Sequence, residues 1–267
     1  MRLSLKTMRL THTRWPQVLQ YLQRCRGIII PTGSTEQHGP IGPIGTDALL
    51  AGAIAQGAAE RGDWLLAPTL NLGPAQFNLG FPGTVALRAS TLMAVVGDVL
   101  DSLAVQGFER FYFLNAHGAN IAAVNAACQD FYAQWSLGRR STTAPQCRLR
   151  SWWDYPRADQ MRKSLYGSWE GMHATPSELA MAMAVLGPDY PHDAQAQAQV
   201  TEPPLALPEG FARLHGGDNH LDSASHRAQF PDGRVGSHSA LARLEDGQAL
   251  MEAAIADAQQ DIAEFFA

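Results

Sequence analysis

The sequence has few cysteines, no cluster of basic residues and no long apolar segment. Its three cysteines, Cys25, Cys128 and Cys147, are odd in number and far apart, so neither a disulfide framework nor a zinc knuckle is expected. The formal net charge is -5, and no run of five lysines and arginines occurs. A surface that follows nucleic-acid phosphates is therefore not expected, and we expect a small neutral or polar partner.

The apolar stretches are also too short for a membrane protein. The longest of them fall well short of the about 18 residues that a membrane-spanning helix needs. The first 15 residues include basic ones but lack the continuous apolar core of a signal peptide. We therefore expect no membrane partner and a cytoplasmic location. With 267 residues, 46% of them hydrophobic, the chain can bury a large core, and we expect one domain over residues 1–267.

Short β-branched and aromatic runs alternate along the chain with segments of helical periodicity. The runs at 28–30, 110–114 and 147–153 predict strands, and 64–70 is a further apolar run. Helices are predicted at 48–61, 91–105, 121–135, 176–186 and 240–266, with Thr46, Ser90 and Thr175 as N-caps of the first, second and fourth. This alternation predicts an α/β fold with a mostly parallel sheet covered by helices on both faces.

Two regions break this alternation. Residues 187–208 are rich in Pro, Gln and Ala, and residues 216–239 are rich in Gly, Asp, His and Ser. Either region could fold over a site or onto another subunit. The second region and its border hold histidines and aspartates without a fixed ligand spacing, so we expect mainly a solvated or interfacial loop. The residues concerned are His215, His220, His226, His238, Asp218, Asp222 and Asp232.

Three polar clusters follow predicted strands at the points where those strands end. Glu36 and His38 lie in a Gly- and Pro-rich loop after the first strand, and His117 follows the strand at 110–114. The segment 169–178 lies downstream of the last predicted strand. Ligands bind beyond the carboxyl ends of strands in open parallel sheets, so these clusters could converge. Glu36 and His38 project to the same side of an extended loop because they are two residues apart.

Asp47 and Glu178 extend these clusters to a set of two histidines and three carboxylates. Such nitrogen and oxygen ligands suit Zn, Mn or Fe(II) in a site with open positions for water. Asp47, at the start of a helix, is placed to bridge two ions, which would generate a hydroxide at neutral pH and polarise a carbonyl. His117 is flanked by small residues and has little use in core packing. A phosphoesterase is disfavoured, because no Arg or Lys accompanies the clusters to receive phosphate.

The other residues also have purely structural interpretations. Glu36 and His38 fit a solvated loop, and Asp47 fits a first-turn residue that the helix dipole stabilises. Glu178 fits the exposed face of a short helix. His173 fits either a surface histidine or a general acid or base that lies beside the ions without binding them.

Four motifs, in order along the chain, resemble those of the creatininase family of metal-dependent amidohydrolases. They are GSTEQHG at 33–39 followed by Gly45-Thr46-Asp47, FPGT at 81–84, NAHGAN at 115–120, and His173-Ala174 with Glu178. The resemblance implies a three-layer α/β/α sandwich with a mostly parallel central sheet, two divalent metal ions per chain, and a homo-oligomer such as a hexamer. The implied reaction cleaves a non-peptide carbon-nitrogen bond in a small cyclic amide or formamide, creatinine-like, with a metal-activated hydroxide.

The resemblance also implies roles for single residues. Asp47 would bridge the two ions, and His173 would shuttle a proton to the leaving nitrogen. Glu178 would act as a ligand and in catalysis. The implied metal ligands are Glu36, His38, Asp47, His117 and Glu178, and the implied substrate-binding residues are Trp169, Glu170, Asn120 and Asn78.

The chain departs from the creatinine hydrolases at two places. Ala119 stands where those enzymes place a ligating Glu, and Glu178 is our candidate for the missing ligand. Before the FPGT motif, Ala75, Phe77 and Asn78 stand where those enzymes commonly have Ser and Glu-His. Three alternatives therefore stay open: a formamide hydrolase, a peptide-trimming member of the same family, and a noncatalytic protein that binds a metal or a small molecule on this scaffold.

Overall fold

The computed structural model describes residues 9–140, 142–207 and 222–267. Its strands are β1 (Gly27–Thr32), β2 (Leu65–Leu66), β3 (Arg110–Asn115) and β4 (Gln146–Ser151). Within the described ranges they form one parallel sheet in the order β2-β1-β3-β4. β1 pairs with β3 along its whole length, from Gly27 opposite Arg110 to Thr32 opposite Asn115. The carboxyl ends of β1, β3 and β4 therefore lie side by side.

Helices cover both faces of this sheet. They are α1 (Trp15–Leu22), α2 (Thr46–Gly62), α3 (Ala89–Ala104), α4 (Asn120–Ser136), α5 (Pro156–Tyr166), α6 (Pro176–Leu186), α7 (Ala194–Gln199), α8 (Ser223–Gln229) and α9 (Leu244–Phe266). The helices α2, α5, α6 and α9 pack on one face, and α1, α3 and α4 pack on the other. The predicted three-layer α/β/α sandwich with a parallel central sheet is confirmed.

The residues of β1 show how the two cores are divided. Successive side chains of a strand point to opposite faces of the sheet. Ile29 accordingly packs with the α2 and α9 side, whereas Ile28 and Ile30 pack with the α3 and α4 side. All six residues of β1 are buried. The uninterrupted β-branched run therefore suits a central strand that helices cover on both faces.

A glycine fixes the distance between α6 and α9. A Cβ atom built on Gly247 would lie 1.9 Å from the carbonyl oxygen of Ala180, so no larger residue fits without moving one of the two helices. Ala180 lies in the second turn of α6, whose first turn carries Glu178. The close contact therefore helps to place this carboxylate at the sheet edge.

The predicted strands and helices are confirmed, but some ends differ and several helices were missed. The predicted strand at 147–153 ends earlier, because Trp152–Asp154 forms a 3-10 helix. The apolar run at 64–70 contributes only β2. The sequence did not predict α1 or α5, and α5 buries only Ala158 and Tyr166, which is too few apolar positions to produce a helical pattern.

The predicted helix caps are confirmed in one case and wrong in two. Thr175 is the N-cap of α6, as predicted. Gly45, not Thr46, is the N-cap of α2, because the Thr46 hydroxyl donates a hydrogen bond to a carbonyl of the preceding turn instead. Arg88, not Ser90, is the N-cap of α3.

The two regions predicted to be irregular contain short helices, and the second is less solvated than predicted. The helix α7 lies in the first region and α8 in the second. The Asp222 carboxylate caps α8, and His226 on this helix is only 2% exposed. Buried Arg234 pairs with Asp232, with Nη2 2.8 Å from Oδ2. His226 and Arg234 are therefore not solvated, and an interfacial role for this region stays a prediction. His215, Asp218 and His220 lie outside the described residues.

The described helices and cysteines agree with the exclusions drawn from composition. None of the helices in the described ranges is both long enough and apolar enough for a bilayer span. All three cysteines are free thiols, with Cys128 buried and Cys25 and Cys147 partly buried.

Candidate metal centre

Side chains from four segments meet at the carboxyl end of the sheet. Glu36 and His38 lie in the loop between β1 and α2, Asp47 lies in the first turn of α2, and His117 lies between β3 and α4. Glu178 joins them from the first turn of α6. None of the five is more than 8% exposed. The structure thus brings together all five residues predicted as metal ligands.

The Asp47 carboxylate lies between two groups of potential ligands. Its Oδ1 is 2.9 Å from Nε2 of His38, and its Oδ2 is 3.2 Å from Nδ1 of His117. Glu36 Oε1 lies 3.2 Å from the same His117 nitrogen, and Glu178 Oε1 lies 4.0 Å from the same His38 nitrogen. Each group therefore supplies one histidine and one further carboxylate, with Asp47 common to both.

Each of these groups is compact enough to hold one ion. In the set Glu36, Asp47 and His117, and in the set His38, Asp47 and Glu178, the candidate ligand atoms lie within 4.8 Å of one another. A third set of the same compactness contains Glu36, His38 and His173. The arrangement thus offers two ion positions that share Asp47, with His173 beside them.

The backbone fixes the orientation of all three imidazoles. Nδ1 of His38 lies 3.1 Å from the carbonyl oxygen of Glu36, and Nε2 of His117 lies 2.8 Å from that of Pro74. Nε2 of His173 lies 2.7 Å from the carbonyl oxygen of Gln37. A carbonyl only accepts hydrogen bonds, so the nitrogen that faces it carries the hydrogen. The other nitrogen of each ring faces the carboxylates, as in histidines that bind metals.

Further hydrogen bonds hold two of the carboxylates. Asn78 Nδ2 donates to Glu36 Oε2 at 2.9 Å, and Gln37 Nε2 donates to the Asn78 side-chain oxygen at 2.8 Å. Glu178 Oε2 accepts from the Thr175 amide at 2.8 Å and from the Thr175 hydroxyl at 2.9 Å. In both cases the other oxygen, Oε1, is left to face the histidines.

Two buried atoms test whether the cluster fits a metal ion. His38 Nε2 and Asp47 Oδ2 are fully enclosed and make no hydrogen bond of good geometry, although Nε2 lies 2.9 Å from Asp47 Oδ1 and Oδ2 lies 3.2 Å from His117 Nδ1. Buried polar atoms in folded proteins are nearly always paired, so two orphans in one cluster need a partner. A cation coordinated by nitrogen and carboxylate oxygen supplies it, and the donor set suits Zn, Mn or Fe(II). The residues present therefore fit a divalent ion.

The carboxylates and histidines of the cluster shift one another's pKa. Burial disfavours the charged form of every member. At His38, burial is the largest single influence, but the carboxylates of Asp47, Glu178 and Glu36 together outweigh it and raise the pKa to about 10. Glu36 likewise raises the pKa of His117 well above its usual value. Burial prevails at His173, whose pKa falls to about 4, so that its imidazole is neutral near pH 7. An arriving ion would displace the protons held on His38 and His117.

A cavity of about 320 Å³ opens beside the cluster. One wall, which we call the metal wall, consists of Glu36, Asp47, His117, His173 and Glu178. Further lining residues, which we call the far wall, are mainly apolar but include one basic and one acidic side chain: Phe77, Ile121, Trp152, Trp153, Met172, Arg162 and Glu170. The volume of the cavity lies at the small end of the range for small-molecule sites.

The residues predicted to bind substrate divide into two groups. Glu170 lines the cavity, whereas Asn78 and Asn120 are buried and do not line it. The Asn120 amide donates to the carbonyl oxygen of Gly33 at 3.0 Å. Trp169 is not among the lining residues either, and its ring centroid lies 5.9 Å from that of His238. Substrate contact by Asn78, Asn120 and Trp169 therefore stays a prediction.

Most residues of the far wall were not predicted from the sequence as site residues. Trp152 and Trp153 follow the carboxyl end of β4, so the same rule that located His117 would have indicated them. Arg162 carried no local signal, because it lies in the polar helix α5. It pairs with Asp159, with Nη2 2.6 Å from Oδ1. A phosphoesterase was disfavoured because no Arg or Lys accompanies the clusters in the sequence, but Arg162 does line the cavity, with its charge already paired.

Comparison with known proteins gives a family match over nearly the whole chain. The sequence model described as creatininase, creatinine amidohydrolase, matches residues 11–262.

Curated relatives include hydrolases of different kinds. A mycofactocin precursor peptide peptidase from Mycolicibacterium smegmatis is 35% identical over 131 residues, which are 47% of this chain and 49% of that protein. The chain thus spans about half the length of this relative. A 3-dehydro-scyllo-inosose hydrolase from Thermotoga maritima is 28% identical over 219 residues, which are 80% of this chain and 64% of that protein.

Solved structures support the fold. A crystal structure of creatinine amidohydrolase (creatininase) matches with a TM-score of 0.80 and 24% identity, covering 98% of each chain. A mutant creatininase described as Zn-Zn type matches with a TM-score of 0.79 and 24% identity, covering 97% of this chain and 98% of that one. At this identity the likeness shows the architecture only.

Proposed function

The chain belongs to the creatininase family, and on this premise we propose that it is a metal-dependent amidohydrolase with two divalent ions per chain. The ions are Zn, Mn or Fe(II). The observation that supports the proposal best is the position of Asp47, whose two oxygens face His38 and His117 separately at 2.9 and 3.2 Å. We propose Glu36, His38, Asp47, His117 and Glu178 as the ligands, with Glu178 in place of the ligand absent at Ala119.

The residues of the cavity support hydrolysis of an amide. Ions held here would supply Lewis-acid activation of water and of a carbonyl group. His173 is neutral and its Nδ1 lies 3.6 Å from Glu36 Oε1, so Nδ1 is placed to accept a proton from the attacking water and to return it to the leaving nitrogen. Trp152 and Trp153 add apolar surface to the cavity, and apolar surroundings strengthen the electrostatic interactions of the metal wall.

We propose a small cyclic amide or a formamide as substrate, cleaved at a carbon-nitrogen bond other than a peptide bond. A cavity of about 320 Å³ accommodates a molecule of this size. The second candidate is peptide trimming. It is favoured by the 35% identity to a mycofactocin precursor peptide peptidase over 131 residues. Because an inosose hydrolase is also among the relatives, the type of bond that this chain cleaves is itself a proposal.

Family resemblance alone supports our proposals for the location, the oligomeric state and the partners of this chain. We propose a cytoplasmic homo-oligomer, with a hexamer as the specific expectation, that acts on a small molecule and binds neither nucleic acid nor membrane. Light scattering on the purified chain tests the assembly, and a monomer at working concentration would contradict it.

Metal analysis and a substrate screen together test the proposed function. The chain is loaded with Zn or Mn, dialysed, analysed for metal, and assayed with creatinine, other lactams, hydantoin-like rings, formamides and short peptides. We expect about two ions per chain and hydrolysis of at least one amide. Bound ions without any hydrolysis would favour the noncatalytic alternative. A chain that retains no ion after dialysis would refute both.

A further inference from the structure

The buried side-chain amide of Gln37 uses both of its hydrogens and its oxygen inside the protein. Its Nε2 donates to the Asn78 side-chain oxygen at 2.8 Å and to the carbonyl oxygen of Gly233 at 3.1 Å. Its Oε1 accepts from the backbone amide of Gly39 at 2.7 Å. Gln37 is only 6% exposed and is not among the residues that line the cavity. Its amide therefore has no hydrogen left to offer a substrate.

Two backbone groups permit only one orientation of the Gln37 amide. A backbone N–H only donates a hydrogen bond, and a backbone carbonyl only accepts one. If the amide were turned over, its Nε2 would face the N–H of Gly39 and its Oε1 would face the carbonyl of Gly233. Both contacts would then be repulsive. Gln37 must therefore direct its NH2 group toward Asn78.

The orientation of Gln37 in turn determines that of Asn78. Because Gln37 presents a hydrogen, Asn78 must turn its oxygen toward it, and Asn78 Nδ2 is left to donate to Glu36 Oε2 at 2.9 Å. If Asn78 were turned over, its NH2 group would face that of Gln37 and its oxygen would face the Glu36 carboxylate. Only one combination of orientations satisfies both amides. The remaining Glu36 oxygen, Oε1, lies 3.2 Å from His117 Nδ1.

The loop that carries Gly233 is held beside the metal wall by backbone hydrogen bonds. The Val235 amide donates to the carbonyl oxygen of His173 at 3.2 Å, and the Met172 amide donates to that of Val235 at 2.9 Å. Gly233 has a φ of +82°, in the left-handed region that favours glycine. A Cβ atom built on Gly233 would lie 2.1 Å from Gln37 Oε1. No larger residue therefore fits at this position without displacing the Gln37 amide.

We propose that Gln37 is a positioning residue that orients Asn78 and, through Asn78, the carboxylate of Glu36. The amide of Gly39 and the carbonyl of Gly233 determine the orientation of Gln37. The inference rests on the proposed function in one respect, which is that Glu36 is a metal ligand. Outer hydrogen-bond partners hold a ligand in the orientation that metal binding needs. A backbone carbonyl from a loop far along the chain thus helps to place a ligand of the metal centre.

A double-mutant cycle tests this role through the affinity for Zn. Gln37→Met keeps an unbranched side chain of similar length but removes the hydrogens and the oxygen of the amide. In the wild-type background we expect the Zn affinity, measured by competition with a chelator, to fall about tenfold. In an Asn78→Ala background we expect no further fall, because Gln37 then has no amide to orient. No loss in the wild-type background, or the same loss in both backgrounds, overturns the proposal.

Gly233→Ala tests the same role without changing Gln37 itself. The added Cβ should displace the Gln37 amide and lower the Zn affinity by a similar factor. Gly138→Ala is the matched control, because Gly138 has a φ of +69° but nothing within 4 Å of an added Cβ. The control shares the backbone strain without the contact, so it should keep the wild-type affinity. An unchanged affinity in Gly233→Ala, or an equal loss in the control, overturns the proposal. If Gly233→Ala fails to fold, the cycle at Gln37 still decides.

A crystal structure of the metal-free Gln37→Met variant separates this inference from the proposed function. We expect Asn78 Nδ2 to lie farther from Glu36 Oε2 than a hydrogen bond allows, because no donor then holds the Asn78 oxygen. An unchanged contact of 2.9 Å overturns the proposal, even where the chain binds ions. A wild-type chain that binds no ion would refute the proposed function and leave this measurement valid. The two failures are therefore distinguishable.

Discussion

The two walls of the cavity are built on different physical principles. On the metal wall, backbone carbonyls fix the imidazoles, and Asn78 and Thr175 each hold one oxygen of a carboxylate. On the far wall, the aromatic rings of Trp152 and Trp153 predominate, and a single acid and a single paired cation supply the polar groups. The metal wall fixes the positions of the candidate ligand atoms, whereas the far wall determines the shape of the cavity. Metal binding and substrate selection should therefore respond to separate substitutions.

The strongest test of this separation is Asp47→Asn. Because Asp47 belongs to both ligand sets, the substitution should remove both ions and abolish turnover, a loss greater than the about 100-fold that follows when only a partner of a ligand is lost. Metal analysis after dialysis measures it. Asp98→Asn, on the exposed face of α3, is the matched control and should keep both ions. Full metal content in Asp47→Asn would refute the shared-ligand arrangement.

His117→Ala should have the next largest effect. It removes one ligand from the set that contains Glu36, so we expect loss of the ion at that position and loss of turnover, while the set with His38 keeps its ligands. Metal content per chain should fall by about half. Exposed His12 provides the control substitution, His12→Ala, which should change nothing. Retention of the full metal content in His117→Ala would contradict the role of His117 as a ligand.

Asn78→Ala distinguishes orientation of a ligand from contact with substrate. Its amide donates to Glu36 at 2.9 Å and does not line the cavity, so we expect metal affinity to fall about 10- to 100-fold, with little change in KM at saturating metal. Competition with a chelator and steady-state kinetics measure the two quantities. A raised KM with unchanged metal affinity would instead support the substrate-binding role expected from the sequence.

Trp153→Ala should affect the far wall alone. Removal of the ring from the cavity should raise KM by about tenfold, or about 1.4 kcal/mol, and leave the metal content unchanged. Trp15→Ala, at a ring that is 77% exposed, is the control. A loss of ions in Trp153→Ala would show that the two walls are not independent.

The smallest expected effect is on stability, in Glu170→Gln. The folded-state pKa of Glu170 is raised to about 7 from 4.5, so the stability that its neutral form contributes is complete below about pH 4.5 and is lost as pH rises through 7. Gln cannot ionise. Between about pH 6 and 7, the variant should therefore gain about 1 kcal/mol of unfolding free energy relative to wild type. Urea denaturation at several pH values measures this, and parallel curves for the two proteins would contradict it.

The sequence predicted the metal wall well because its residues lie in loops after strand ends or in the first turns of helices. There, the spacing of Glu36 and His38 and the position of Asp47 at a helix start determine where the side chains lie, once the sheet is parallel. Glu178 was proposed to replace the ligand absent at Ala119, and the structure places it 4.0 Å from His38. That these residues bind ions stays a prediction.

The far wall could not be predicted in the same way, because tertiary packing assembles it. Arg162 enters the cavity from α5, a helix with too few buried apolar residues to be predicted. The family resemblance implied that Asn78 and Asn120 contact a substrate. Both are instead buried, where their amides hold a carboxylate and a backbone carbonyl.

One oxygen of Glu178 completes the capping box of α6, and the other faces His38. Binding of an ion at Glu178 is therefore coupled to opening of the N-terminal end of α6. The amide hydrogens of Thr175 and Glu178 are held in that cap, and they exchange with solvent only when it opens. An ion bound to the Glu178 carboxylate makes opening of the cap rarer. By reciprocity, a frayed cap lowers the affinity for the ion. Hydrogen exchange at these two amides thus reports whether the nearby position is filled, independently of any reaction.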